Sequence, residues 1–185
     1  MQTTAPLNRS QPENASYFHA VAIPKFVALW LGSLGLYGLY WFHAHWQVIR
    51  QRQGGDIKPW QRTLLAGSYC EPLLQLFLDA ANGTPDIQAF KPRVRAILWL
   101  LMTATLFFGP PLSLLCPLAF LPLIAGQRVA NQVSAVRTPG ADRNSRFRPR
   151  EWLALLPLAL LLLAAALMAC GFDSASVPKP GHATP

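Results

Sequence analysis

The chain has 185 residues, 52% of them hydrophobic and only 13% charged, and its formal net charge is +8. That balance excludes an ordinary soluble domain and points to a small helical membrane protein. Lys and Arg fall in short blocks beside apolar runs, not among exposed aromatics, so the charge reads as a topology signal and nucleic acid is not expected as a partner.

Residues 1–22 are polar at their start, carry Pro6 and Pro12, and lack the basic-then-apolar layout of a cleavable signal; a disordered tail is expected there. A polytopic helical domain is expected over 23–170 and a second disordered tail over 171–185. From Phe26 to Trp46 the chain is uncharged, closes on Gly35-Leu36-Tyr37-Gly38-Leu39-Tyr40-Trp41-Phe42, and empties into Arg50 and Arg52. At ~1.5 Å per residue, roughly 20 residues cover a ~30 Å hydrocarbon layer, so this run predicts a spanning helix. Within it Ala28, Gly32, Gly35 and Gly38 recur at steps of three and four, predicting one smooth face for close helix packing. His43 and His45 diverge by about 160° on a helix and cannot hold one metal ion from it. Gly54-Gly55 should stop the helix.

Between Thr63 and Ala80, Ser68, Glu71, Gln75 and Asp79 fall on one stripe, which predicts an amphipathic helix, interfacial or re-entrant and kinked at Pro72. The uncharged run Ala96 to Gln127 would reach ~48 Å as one helix, too long for one crossing. Gly109-Pro110-Pro111 should divide it into a hairpin, with Pro117 and Pro122 bending the second arm. Arg143, Arg146, Arg148 and Arg150 then precede Trp152 to Cys170, a further expected crossing capped by Gly171. These four arginines are the candidate contact for anionic membrane lipid.

The expected fold is therefore all-α, with four transmembrane helices and one amphipathic interfacial or re-entrant helix between the first and second. With that topology thirteen of the sixteen Lys and Arg share one side, leaving Arg9, Lys25 and Lys179 opposite with both termini. By the positive-inside rule the richer side is cytoplasmic.

Lys25-Phe26, the Gly-Leu-Tyr-Gly-Leu-Tyr-Trp-Phe run, Trp46, Gln127-Arg128-Val129-Ala130-Asn131 and Asn144-Ser145-Arg146-Phe147 before Trp152 together resemble an uncharacterised family of small bacterial membrane proteins, a domain of unknown function, over residues 17–163. The resemblance implies a multi-pass protein of the bacterial cytoplasmic membrane and brings no activity or catalytic residues. In that family an aromatic usually precedes the proline of the second segment, where this chain has Glu71.

No His-Glu-x-x-His, Gly-x-Ser-x-Gly or phosphate-loop motif occurs, and neither a cofactor nor a metal is expected. Cys70, Cys116 and Cys170 lack the spacing of a zinc site. The favoured reading is a structural or accessory protein that binds lipid or another membrane protein. The alternatives are a small transporter or channel subunit and, with His43, His45, Cys70 and Glu71 as its only imaginable assembly, a membrane enzyme.

Overall fold

Glycine and serine at positions 32–35 decide how the first apolar run folds. In the computed structural model, which describes residues 16–82, 90–142 and 144–175 (without the side chains of residues 150 and 169–175), helix α1 covers Ile23–Gly32 and α2 covers Tyr37–Gln53. Between them Leu34 and Gly35 hold φ values of 52° and 91°, and the Gly35 amide donates back to the Trp30 carbonyl at 2.8 Å, a Schellman-type stop. Ser33 Oγ then accepts the Tyr37 amide at 2.8 Å, satisfying one orphan donor where α2 begins. In one continuous helix Phe26 and Trp41 would stand ~22 Å apart. Their ring centroids are 5.9 Å apart, so the chain doubles back. The expected single crossing from Phe26 to Trp46 is corrected to a helical hairpin.

Helix α2 stops at Gly54, φ 68°, directly after Arg50 and Arg52, as the sequence predicts. Helices α3, Pro59–Leu64, and α4, Ala66–Ala80, follow. On α4, Cys70, Leu73, Leu74 and Phe77 are buried, while Ser68, Glu71, Gln75 and Asp79 are exposed along the predicted stripe. Pro72 lies on the exposed side of an unbroken helix, not at an end.

Helix α5, Pro92–Ala104, runs through a 3-10 turn at Thr105–Phe107 to the expected reversal. The return arm is 3-10 over Leu112–Ala119 and becomes α6 over Phe120–Arg137. Helix α6 packs on α1, α4 and α5, and its partners read off in order. Phe120 meets Trp30, Gln127 meets Trp41 and His45, Asn131 meets Val21, Ser134 meets Phe18, and Thr138 meets Tyr17. Arg137 reaches the carbonyl of Ala80, and both Arg52 and Arg137 lie over the Tyr17 ring. The open ends of both hairpins thus share one basic end. Their tips, with Leu34 and Leu36 on one and Leu106, Phe107 and Phe108 on the other, are apolar and exposed, Phe107 at 87%.

This ladder corrects two further expectations. Residues 17–22 belong to the fold, since Phe18 and Val21 are buried against the bundle beside α6. Lys25 does not lie opposite the arginine block but touches its backbone, which also brings the start of α1 to that side.

After α7, Pro149–Trp152, a 3-10 turn at Leu153–Leu155 leads into α8, Leu156–Ala175. The helix continues past Gly171, which does not cap it. Its start is covered by α1, and residues 159–168 are all exposed although every one is apolar. The described residues contain helices and no strand. Among the described residues one stretch, Leu112–Arg137, is long and apolar enough to cross a membrane; Ile23–Gly32 and Leu153–Met168 are apolar but shorter.

Candidate functional site

Gln127 and Asn131 stand one turn apart on α6 and so share a face. Gln127 is fully buried, and its Oε1 accepts from Trp41 Nε1 at 2.5 Å and meets His45 Nε2 at 3.2 Å. Its Nε2 donates to Asn131 Oδ1 at 2.8 Å and to the His19 carbonyl at 3.1 Å. Asn131 Nδ2 donates to the Val21 carbonyl at 2.8 Å, and its Oδ1 accepts the Val21 amide at 3.3 Å. A side-chain amide offers two donors and an acceptor with two lone pairs, so Gln127 is fully used. The network sews the extended segment 19–21 to α6 and α2. Beside it the His19 ring stands edge-on to His45 and Tyr40, at 5.6 and 5.7 Å between centroids. Burial, and then the charge of Lys25, push His19 down from the ordinary 6.5 to about 4, so its imidazole is neutral at pH 7. Among the described residues no group of three or more His, Cys, Asp or Glu could hold a metal ion.

A second buried group clamps the arginine segment. Lys25, 2% exposed, donates to Glu151 Oε2 at 2.7 Å, Asn144 Oδ1 at 2.8 Å and the Arg146 carbonyl at 2.7 Å. These three acceptors use all three ammonium donors, so the buried group is left with no unsatisfied hydrogen. The Arg148 amide donates to the same Glu151 oxygen at 2.7 Å, capping α7. Burial opposes ionisation of Glu151, but the Lys25 hydrogen bond, the Arg148 amide and the two positive charges outweigh it and hold the carboxyl below its ordinary value.

Between the α1–α2 hairpin and the start of α8 lies a cleft of about 660 Å³, lined by residues that include Ser33, Tyr40, Gln47, Glu151 and Ala154. No family model matches the chain, and no curated protein and no solved structure is found to be similar to it. What the site can do therefore rests on its own chemistry.

The four residues of the expected packing face are not on one helix. Gly32 is pressed against Leu155, at the entry to α8; Gly35 makes the turn; and a Cβ on Gly38 would stand 2.7 Å from the Trp30 ring. Ala28 is half-buried on α1. The break at residues 33–36 separates them, although Gly32 and Gly38 each admit a close neighbour.

Arg146 and Arg148 are exposed, with their backbones held by Lys25 and Glu151. Arg143 and the Arg150 side chain lie outside the described residues. His45 and Cys70 are buried, His43 is half-buried and Glu71 is exposed. Sequence reasoning missed His19, Asn131 and the pairing of Lys25 with Glu151. The available signal was a glutamine and an asparagine four apart as the apolar run gives way to charge.

Proposed function

We propose that this chain is an integral protein of the bacterial cytoplasmic membrane that acts as a structural or accessory component, binding lipid or another membrane protein. The observation that carries this reading is the unbroken apolar exposure of residues 159–168, together with the bare tip at Leu106–Phe108. Exposed patches far beyond a few hundred Å² mark interaction surfaces.

The shared basic end supports placing Arg52, Arg137, Arg146 and Arg148 on the cytoplasmic side. In this topology α5 and α6 cross as a hairpin, α8 crosses once, and the α1–α2 hairpin enters and returns. Trp152, exposed and 5.3 Å from the Phe147 ring, suits the headgroup level, where the arginine block would meet anionic lipid. The closed Trp41–Gln127–His45–Asn131 network favours a structural role over a conducting path, which needs polar groups facing a water-filled route.

Alkaline extraction of native membranes followed by crosslinked co-purification tests the proposal. The chain should stay in the pellet and carry a stoichiometric partner or tightly held lipid. Release into the supernatant removes the membrane reading, and solute flux in proteoliposomes replaces the accessory role with transport.

A further inference from the structure

Helix α3 sets Arg62 back against the bundle. Its guanidinium carbon stands 4.2 Å from the centre of the Trp46 ring and 5.2 Å from that of Tyr69, and the residue is half-buried there. The two rings hold the cation by its charge but supply no oxygen acceptor. Among the described residues no carboxylate lies within ion-pair distance of Arg62, and none accepts a hydrogen bond from its side chain. A planar fork held in place with its N–H donors free suits phosphate, whose oxygens it can meet two at a time. Trp46 lies seven residues before the end of α2 at Gln53, which sets Arg62 ~10 Å in from the basic end.

Around Arg62 opens a groove of about 470 Å³ whose lining combines charge with bare apolar surface. Lys58 and Arg62 give it two cations and Asp56 one carboxylate; over residues 50–62 the chain carries Arg50, Arg52, Lys58 and Arg62 against Asp56 alone. That surplus favours a ligand of net negative charge over a zwitterion. Trp60, Leu64 and Leu65 line the same groove at 56, 72 and 57% exposure, and Gln61 and Tyr69 complete its wall. Trp60 and Leu64 are one turn apart on α3 and so share a face. A free phosphate gains nothing from these apolar side chains, whereas a phosphate joined to acyl chains removes them from water.

Resting on the membrane reading above, we propose that this groove binds an anionic phospholipid. The lipid phosphate accepts from Arg62 and Lys58, and the start of its acyl chains covers Trp60, Leu64 and Leu65. Arg62 thereby gains the oxygen acceptors that the bundle does not give it, at the headgroup depth that suits Trp60.

The test uses the full chain. Flotation with vesicles of phosphatidylcholine alone first establishes membrane association, and failure to float sinks the membrane reading itself. The detergent-purified chain is then titrated in mixed micelles with phosphatidylglycerol or phosphatidylcholine brominated on the acyl chains, and quenching of Trp60 is read as the difference between the parent and Trp60→Phe. Half-quenching should need ~5-fold less phosphatidylglycerol, the preference expected of about one net charge at a basic surface. Arg62→Gln and Lys58→Gln should each shrink that preference, and Lys58→Gln, at an exposed position, carries the test if Arg62→Gln does not fold. Inorganic phosphate in large excess should leave the quenching unchanged. Equal half-quenching by the two lipids, an undiminished preference in Lys58→Gln, or relief of quenching by inorganic phosphate would overturn the inference while leaving a floating protein a membrane protein.

Discussion

Replacing Gln127 with Leu keeps roughly the volume and removes four hydrogen-bonding partners at one buried point. Trp41 Nε1, His45 Nε2 and the His19 carbonyl lose the contacts that Gln127 supplies, while Asn131 keeps Val21. A buried group left unsatisfied costs ~1–3 kcal/mol, so three of them give ~3–5 kcal/mol once local relaxation and non-additivity are allowed for. Set against a total stability of ~5–15 kcal/mol, that is a third or more of what holds the fold. For a chain of this size each kcal/mol moves the midpoint by ~2–4 °C, so thermal unfolding in mild detergent should fall by about 10 °C. Tryptophan emission is a suitable probe because Trp41 is itself in the network. Gln132→Leu, at an exposed position on the same helix, should change the midpoint little. A Gln127→Leu midpoint within ~2 °C of the parent would show that these groups find other partners, and that the network does not fasten segment 19–21.

Gly126→Ala would place a Cβ 2.5 Å from Leu74 Cδ2 and should destabilise by ~1–3 kcal/mol; adding Leu74→Ala should return part of that loss in a double-mutant cycle. Because His19 is lowered from 6.5 to about 4, the unfolded chain binds its proton first on acidification, so stability is full above 6.5 and falls by ~3 kcal/mol toward pH 4. His19→Phe should flatten that fall. The depressed Glu151 carboxyl acts in the same direction, its contribution being present above the ordinary 4.5 and lost as pH drops through the folded value, and Lys25→Met, which leaves the Arg148 amide and charge in place, should shrink this acid-side loss. Single cysteines at Ser16, Gln53 and Ala141, in a background without the native three, should share one compartment toward an impermeant thiol reagent. Labelling of Ser16 apart from Gln53 would contradict the folded-back first hairpin.

Elements set by local chemistry were legible in the sequence. The Gly109-Pro110-Pro111 reversal could be placed because proline and glycine restrict the backbone wherever they occur, and the α4 stripe because charges at helical spacing declare a wet face. The first hairpin was misread for a related reason. Gly32, Ser33 and Gly35 are equally a packing surface and a stop-and-restart signal, and the choice depends on whether Phe26 can reach Trp41, which is a tertiary matter. The networks were hidden by distance along the chain. Lys25 and Glu151 are each ordinary in their own segments, and only the fold makes one buried and the other its counter-ion. The same holds for Phe18 and Val21, whose burial comes from a groove supplied by α6.

In the proposed setting, the reversal at residues 33–36 bears on how the chain enters the bilayer. Both hairpins keep their ionised flanks together, so each can partition tip-first as a unit, with no charged stretch hauled through hydrocarbon at ~2.5–3.5 kcal/mol per charge. Helix α8 is different, since its last turn, with Asp173, and the sequence beyond it, with Lys179, must pass to the far side if the helix crosses. Threading α8 is therefore the step that carries ionised side chains across, and a chain halted before Leu156 should insert through its two hairpins without that cost.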